Sequence, residues 1–325
     1  MAILTLEAAA FQERSTSLKR FIIKDAFFKN LTFAAALLVL SILFGVFLSL
    51  IIGSVPAFTA FGLDFLTTQS WNPVTEKFGA LAPVYGTVVT SLIAMGIAVP
   101  VGIGIAIFIT ELCPAFLRKP IAIAIELLAG IPSIIYGIWG LFVFAPFLQQ
   151  HIQPAIIGAF SGVPFLNDIF AGPPYGIGVF TAGLILAIMV IPFISSISRD
   201  VFETTPSVLK ESTYALGCTT WEVIWNVVLP YSRAGVLGGV MLGLGRALGE
   251  TMAVTFVIGN AHKIAASVLA PGTTISATIA NEFTEAVGDI YTSALIALGL
   301  ILFVITFIVL AAARYMLARM EVKTR

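Results

Sequence analysis

Arg246 and Glu250 are two ionisable residues, four positions apart, near the middle of a long apolar stretch of a 325-residue chain. Spaced i, i+4 on a continuous helix, they would share a face and could pair. An ionisable group near a bilayer centre costs at least about 2.5–3.5 kcal/mol on insertion scales, so it is retained for a reason. Three reasons fit: a self-neutralised packing pair, a link to a neighbouring subunit, or the lining of a polar path. In the last, Arg246 attracts an anion and Glu250 holds the arginine in place. A guanidinium offers a planar fork of N–H donors and suits phosphate-like oxyanions. Ser133 and Tyr136, beside Pro132 in another apolar stretch, are further candidates for lining such a path.

Catalytic chemistry finds no support elsewhere in the chain. There is no G-x-x-x-x-G-K-[ST] phosphate loop. The run Gly243-Leu244-Gly245-Arg246-Ala247-Leu248-Gly249 has the wrong spacing, and in an apolar stretch its glycines are better read as close helix packing. Any energy from ATP must therefore come from another subunit. Cys113 and Cys218 lie far apart with no CxxC or Cys/His cluster, which argues against a disulfide framework and a metal site. His151 and His262 fall on separate loops and are expected to be solvated. Glu126 is expected to make an interfacial salt bridge, and Glu282, Glu285 and Asp289 to form a solvated acidic face. No enzyme activity, cofactor or metal is expected.

The elements that must position these residues are membrane helices. Of the residues, 59% are hydrophobic and 10% charged, with zero net charge, whereas a soluble domain carries about 25% charged residues. Zero net charge also removes a bulk-charge argument for nucleic-acid binding. About 20 apolar residues cross a bilayer as a helix. Six stretches qualify, near Leu31–Ile52, Val84–Ile109, Ile121–Leu148, Gly176–Ile197, Ala234–Ile258 and Ile290–Ala312. Gly130, Pro132 and Pro146 predict a kink or break in the third.

Orientation follows the basic residues. With the N-terminus inside, Arg14, Lys19, Arg20, Lys24 and Lys29 fall on the cytoplasmic side, as do Arg118 and Lys119. So do Arg199, Lys210 and Arg233, and finally Arg314, Arg319, Lys323 and Arg325. Only Lys77 and Lys263 fall on the outer loops, Gly53–Pro83, Gln149–Tyr175 and Asn260–Asp289. Fourteen against two places both termini in the cytoplasm of a multi-pass inner-membrane protein. The expected division is a cytoplasmic N-terminal segment over 1–30, a first span and outer loop over 31–83, a core over 84–313 and a cytoplasmic tail over 314–325. The N-terminal basic residues precede a long apolar run, as before an uncleaved first helix rather than a signal peptide.

The cytoplasmic loop 199–233 is not generic. Thr205-Pro206-Ser207 is a helix start with proline in the first turn, and Gly217 is a helix stop. Thr219, with Glu222 three residues on, is a capping box, and Pro230 is expected to stop the second helix. Glu211-Ser212-Thr213, Gly217 and Val227-Val228-Leu229-Pro230 together resemble the EAA loop of binding-protein-dependent ABC importer permeases, which reads EAA, three residues, Gly, nine residues, I-x-L-P. Ser212, Thr213 and Val227 depart from that pattern conservatively. The resemblance implies an all-α, type I importer permease core in which Glu211, Ser212, Thr213, Gly217, Leu229 and Pro230 mark the loop that docks on a separate ATPase. Tyr214, Leu216 and Trp221 could supply the apolar knob.

The stretches Leu128-Ala129-Gly130-Ile131-Pro132-Ser133 and Arg246-Ala247-Leu248-Gly249-Glu250-Thr251-Met252-Ala253-Val254 are similar to those of the PstC family of phosphate-importer permeases. That resemblance implies alternating access and phosphate as cargo, with Arg246 and Glu250 matching the family's charged membrane residues. It implies as partners a second, PstA-like permease, a dimer of a PstB-like ATPase and a PstS-like phosphate-binding protein outside. Composition and periodicity do not tell phosphate from sulfate or molybdate. An ion-coupled secondary transporter would need no ATPase, and the Glu211–Pro230 pattern argues against it.

Overall fold

The computed structural model describes the backbone of residues 2–322 and the side chains of residues 24–319. The expectations resting on Arg14, Lys19, Arg20, Lys323 and Arg325 therefore lie outside the described side chains. Among the described residues the chain is helical, with one isolated bridge between Asn72 and Lys77. Residues 1–52 and 53–325 form two compact units. The first unit lies within helix α1 (Ala2–Phe61), whose stretch Lys24–Phe61 is long and apolar enough to span a membrane.

In the second unit, α2 (Leu81–Leu112) is followed by α3 (Ala115–Ala129), then α4 (Ser133–Phe160) and α5 (Val179–Glu203). Next come α6 (Ser207–Ala215), α7 (Thr220–Gly249), α8 (Met252–Ile258), α9 (Ile275–Glu282) and α10 (Asp289–Val322). Six of the described helices meet the length and hydropathy of a span, the number the sequence predicts.

The third span is displaced from its expected limits. Residues 121–129 belong to the separate helix α3, and the span proper runs from Ser133 to Phe160, twelve residues beyond the expected end at Leu148. Pro132 (ψ 137°) lacks the N–H that would continue α3 and biases Ile131 away from helical angles, so the chain turns an elbow at 130–132. At Pro146 no break occurs. Instead, π turns at 140–144 and 148–152 each end two residues before a proline, Pro146 or Pro154, and a third at 224–228 ends two residues before Pro230. A proline ring collides with the carbonyl four residues back, and in all three cases that carbonyl lies in the widened turn. Pro230 consequently does not stop a helix, contrary to expectation, and α7 runs through it.

The core is a seam between α5 and its neighbours α2, α7 and α8, built from Ala94, Ala98, Ile185, Leu186, Val190, Ile194, Val254 and Val257. Glycines set the spacing. An added Cβ at Gly235, Gly239 or Gly243 of α7 would meet Val201 at 2.5 Å, Ile197 at 2.8 Å or Ile194 at 3.0 Å of α5. Four-residue spacing puts all three on one face, the small-residue contact by which membrane helices approach closely. The start of α5 is closed by the last turn of α8 and the segment after it: the N–H groups of Gly178, Val179 and Phe180 donate to the carbonyls of Val257, Ala270 and Val268. These are orphan donors that lipid could not satisfy. Only glycine fits at 178, where φ is +152° and a Cβ would stand 2.5 Å from the Leu269 carbonyl.

At the same end of the bundle Glu282 is not the solvated acid expected from sequence. Its carboxylate accepts from Trp71 Nε1 and from the Tyr291 hydroxyl (2.7 Å), and lies 2.9 Å from His262 Nε2. An ionised carboxylate only accepts, so His262 carries a proton on Nε2. The imidazole is stacked on Trp71 at 5.3 Å rather than solvated. Burial pushes the Glu282 carboxyl up, but the hydrogen bonds from His262, Tyr291 and Trp71 outweigh it and hold it below its ordinary value of 4.5. A lowered folded value contributes stability above 4.5 that is lost as pH falls through the lowered value. Thermal unfolding in detergent should therefore show acid destabilisation that Glu282→Gln weakens. An identical acid profile in the variant would remove Glu282 from that role.

Candidate functional site

The expected fifth span, Ala234–Ile258, is two helices. α7 ends at Gly249, Glu250 is extended (φ −69°, ψ 130°), and α8 starts at Met252 and ends before Gly259 (φ +92°). Arg246 and Glu250 thus do not share a helix face, and no ion pair joins them, which corrects the pairing read from their spacing. Glu250 instead accepts the Ala253 N–H through Oε1 at 3.3 Å, satisfying an orphan donor of α8. Thr255 donates to the Thr251 carbonyl at 2.8 Å across the same turn. The triplet Gly249-Glu250-Thr251 is a helix stop in which the Glu250 side chain alone caps the next helix. The apolar run on both sides conceals it.

Arg246 occupies the last turn of α7, where the negative end of the helix dipole favours a cation. It is exposed, and among the described residues it has no ion pair or hydrogen bond. Tyr136 is 8% exposed, and its hydroxyl donates to the Leu128 carbonyl at 2.9 Å, bracing the elbow between α3 and α4. Tyr136 thus has its polar atom already committed, while half-buried Ser133 opens α4. One turn on, a Cβ at Gly137 would stand 3.1 Å from both the Ala253 Cα and the Met252 carbonyl. That contact seats α4 against the first turn of α8, directly after Glu250.

The loop 199–233 forms a helical hairpin. Pro206 precedes rather than opens α6 (φ −57°, ψ 130°). Gly217 (φ +87°) ends the hairpin's first arm: its N–H donates to the Tyr214 carbonyl at 2.9 Å, and the Cys218 N–H to that of Thr213 at 3.3 Å. These are the two crossed bonds of a Schellman cap. Thr219 and Glu222 make the capping box expected of them. Glu211 and Ser212 are exposed, Thr213 and Leu229 half-buried, and Pro230 exposed. Leu216 is 85% and Trp221 65% exposed, with Trp221 stacked on Trp225 at 5.7 Å, so the hairpin presents an uncovered aromatic and aliphatic knob. Lys210 pairs with Glu111 at 2.6 Å, and Glu126 forms the expected salt bridge, to Arg199 at 2.8 Å. Among the described residues no group of His, Cys, Asp or Glu could hold a metal.

A six-span helical membrane chain with a broken, arginine-bearing helix and a hairpin offering an apolar knob has the architecture of a transport permease. The profile of binding-protein-dependent transport system inner membrane components matches residues 98–322, and the chain belongs to that family. It is 68% identical over 316 residues to the phosphate transport system permease protein PstC of Mesorhizobium japonicum, an alignment covering 97% of each chain. It is 56% identical over 299 residues to the PstC of Pasteurella multocida, covering 92% of this chain and 93% of that one. Among solved structures, a bacterial alginate ABC transporter crystallised with its pentasaccharide-bound periplasmic protein superimposes with a TM-score of 0.60. That match has 19% identity over 90% of this chain and 95% of the other, a likeness of fold. The chain is thus a multi-pass membrane permease subunit of an ABC importer and not an enzyme, and membership implies a separate ATPase and substrate-binding protein.

Gly137→Val should shift α8 and destabilise the protein by about 1–3 kcal/mol, the usual cost of overpacking. The fall in melting temperature of the purified variant would show it, and an unchanged melting temperature would mean that α4 and α8 separate freely.

Proposed function

We propose that this chain is the permease subunit through which an ATP-driven importer carries phosphate, with the path passing Arg246. One observation carries the reading. An exposed guanidinium in the last turn before a helix break has no ion-pair partner among the described residues, in a protein 68% identical to a phosphate permease. Its five donors suit a tetrahedral oxyanion. Glu250, committed to α8, fixes the break that presents Arg246 rather than neutralising it. Ser133 and Tyr136 act as the neighbouring wall, Tyr136 through ring and elbow and not through a free hydroxyl.

The distribution of basic residues supports both termini in the cytoplasm, with the core at 84–313 and its coupling loop at 199–233. A loaded PstS-like protein docks outside. A PstB-like ATPase dimer closes on the knob of Leu216 and Trp221 inside, and a PstA-like permease completes the path. Glu211, Ser212, Thr213, Gly217, Leu229 and Pro230 shape the hairpin that passes that closure on. The runner-up is the same machine carrying sulfate or molybdate.

Arg246→Gln, at matched membrane abundance in phosphate-starved cells, should lower labelled phosphate uptake about 10- to 100-fold, the equivalent of losing roughly 1.5–3 kcal/mol of hydrogen bonding to a charged group. Unchanged uptake would leave Arg246 as packing alone, and a wild type that carries sulfate but no phosphate would replace the cargo. Gly217→Leu meets no steric obstacle, only its positive φ, a strain of about 1–3 kcal/mol. It should leave ATP hydrolysis running while uptake falls, and full uptake would remove the hairpin from coupling.

A further inference from the structure

We infer that the Lys210–Glu111 ion pair is the tie by which the hairpin drags the membrane helices, making both positioning residues for coupling; this rests on reading 199–233 as the coupling loop. Helix α6 buries none of its own side chains, and Val208, Leu209 and Tyr214 are all exposed on it. An element with no buried face has little to make the bundle follow when it is pushed. The salt bridge from Lys210 Nζ to Glu111 Oε1, at 2.6 Å, joins α6 to a residue 99 positions earlier, in the π turn that ends α2. The Glu111 side chain is only 7% exposed and that of Lys210 20%. Separating such a pair would leave a charge desolvated and unpaired, so the two move together.

From Glu111 the connection continues through a succession of polar braces. Arg118 Nε of α3 donates to the Cys113 carbonyl at 3.0 Å, two residues past Glu111. Farther along α3, Glu126 is held by Arg199 at the end of α5, and the Leu128 carbonyl by the Tyr136 hydroxyl at the elbow. Beyond the elbow, Gly137 lies against the first turn of α8. Helix α3 buries none of its own residues either, so these braces are its footing. A displacement of α6 is thereby delivered to the helix break beside Arg246.

The test uses the whole complex with its ATPase and binding protein in lipid vesicles, with two readouts: phosphate accumulated per ATP hydrolysed, and stimulation of hydrolysis by the loaded binding protein. Glu111→Gln should cut both ratios about tenfold, within the usual span of coupling energies, while unstimulated hydrolysis persists. The reversed pair, Glu111→Lys with Lys210→Glu, should restore most of the loss. Should Glu111→Gln fail to reach the membrane, Lys210→Gln alters the more accessible end and reads the same ratios. Ratios equal to wild type, or a reversed pair as uncoupled as the single variants, would overturn the tie. A wild type that accumulates no phosphate yet responds to its binding protein would overturn the cargo alone, since the stimulation ratio still reports on Lys210 and Glu111.

Discussion

Backbone N–H and C=O groups inside a bilayer have no water to turn to, and each irregularity of this core is built around that constraint. Where α7 breaks, Glu250 receives the N–H of Ala253. Where α5 begins, the carbonyls of Val257, Val268 and Ala270 accept its first donors. Where α3 ends, Tyr136 donates to Leu128. An unsatisfied group in such surroundings costs several kcal/mol, comparable to the whole stability of many domains. The breaks therefore exist only because particular side chains and loops complete them. Glu250, one of the two ionisable residues of this stretch, is thus committed to closing the α8 terminus.

That closure changes what Arg246 is. Paired with Glu250 on a continuous helix, it would be a neutral dipole of packing interest. Separated from Glu250 by the break and set in the last turn of α7, it has five donors and no ion-pair partner among the described residues. The glycine face of α7 permits this. By locking residues 235–243 against α5, it fixes the direction in which the terminal turn points.

Much of the fold was legible because it depends on composition and local rules. Six spans follow from apolar length, the hairpin from Gly217 and the Thr219–Glu222 box, and the elbow from Gly130 and Pro132. The break at 249–251 was hidden because hydropathy runs unbroken across it, and periodicity cannot tell a span from two half-helices in line. The extension of α4 to Phe160 was hidden because prolines read as stops, and the widened turns that absorb Pro146, Pro154 and Pro230 leave no compositional trace. The cluster around Glu282 draws on Trp71, His262 and Tyr291, whose convergence is tertiary. A lone acid on a loop gives no sign of it.

Those widened turns also decouple two kinds of phase. In α7 the turn at 224–228, which itself carries Trp225, separates Trp221, presented outward, from a segment presenting Gly235, Gly239 and Gly243 to α5. A π turn carries one residue more than an α turn, and one residue is worth about 100° of rotation at 3.6 residues per turn. Loss or gain of a single codon there would swing Trp221 about a quarter of the way round the axis while the glycine contact stayed in register. A lineage could thus re-aim the exposed face of the hairpin by insertion or deletion, without rebuilding the membrane core.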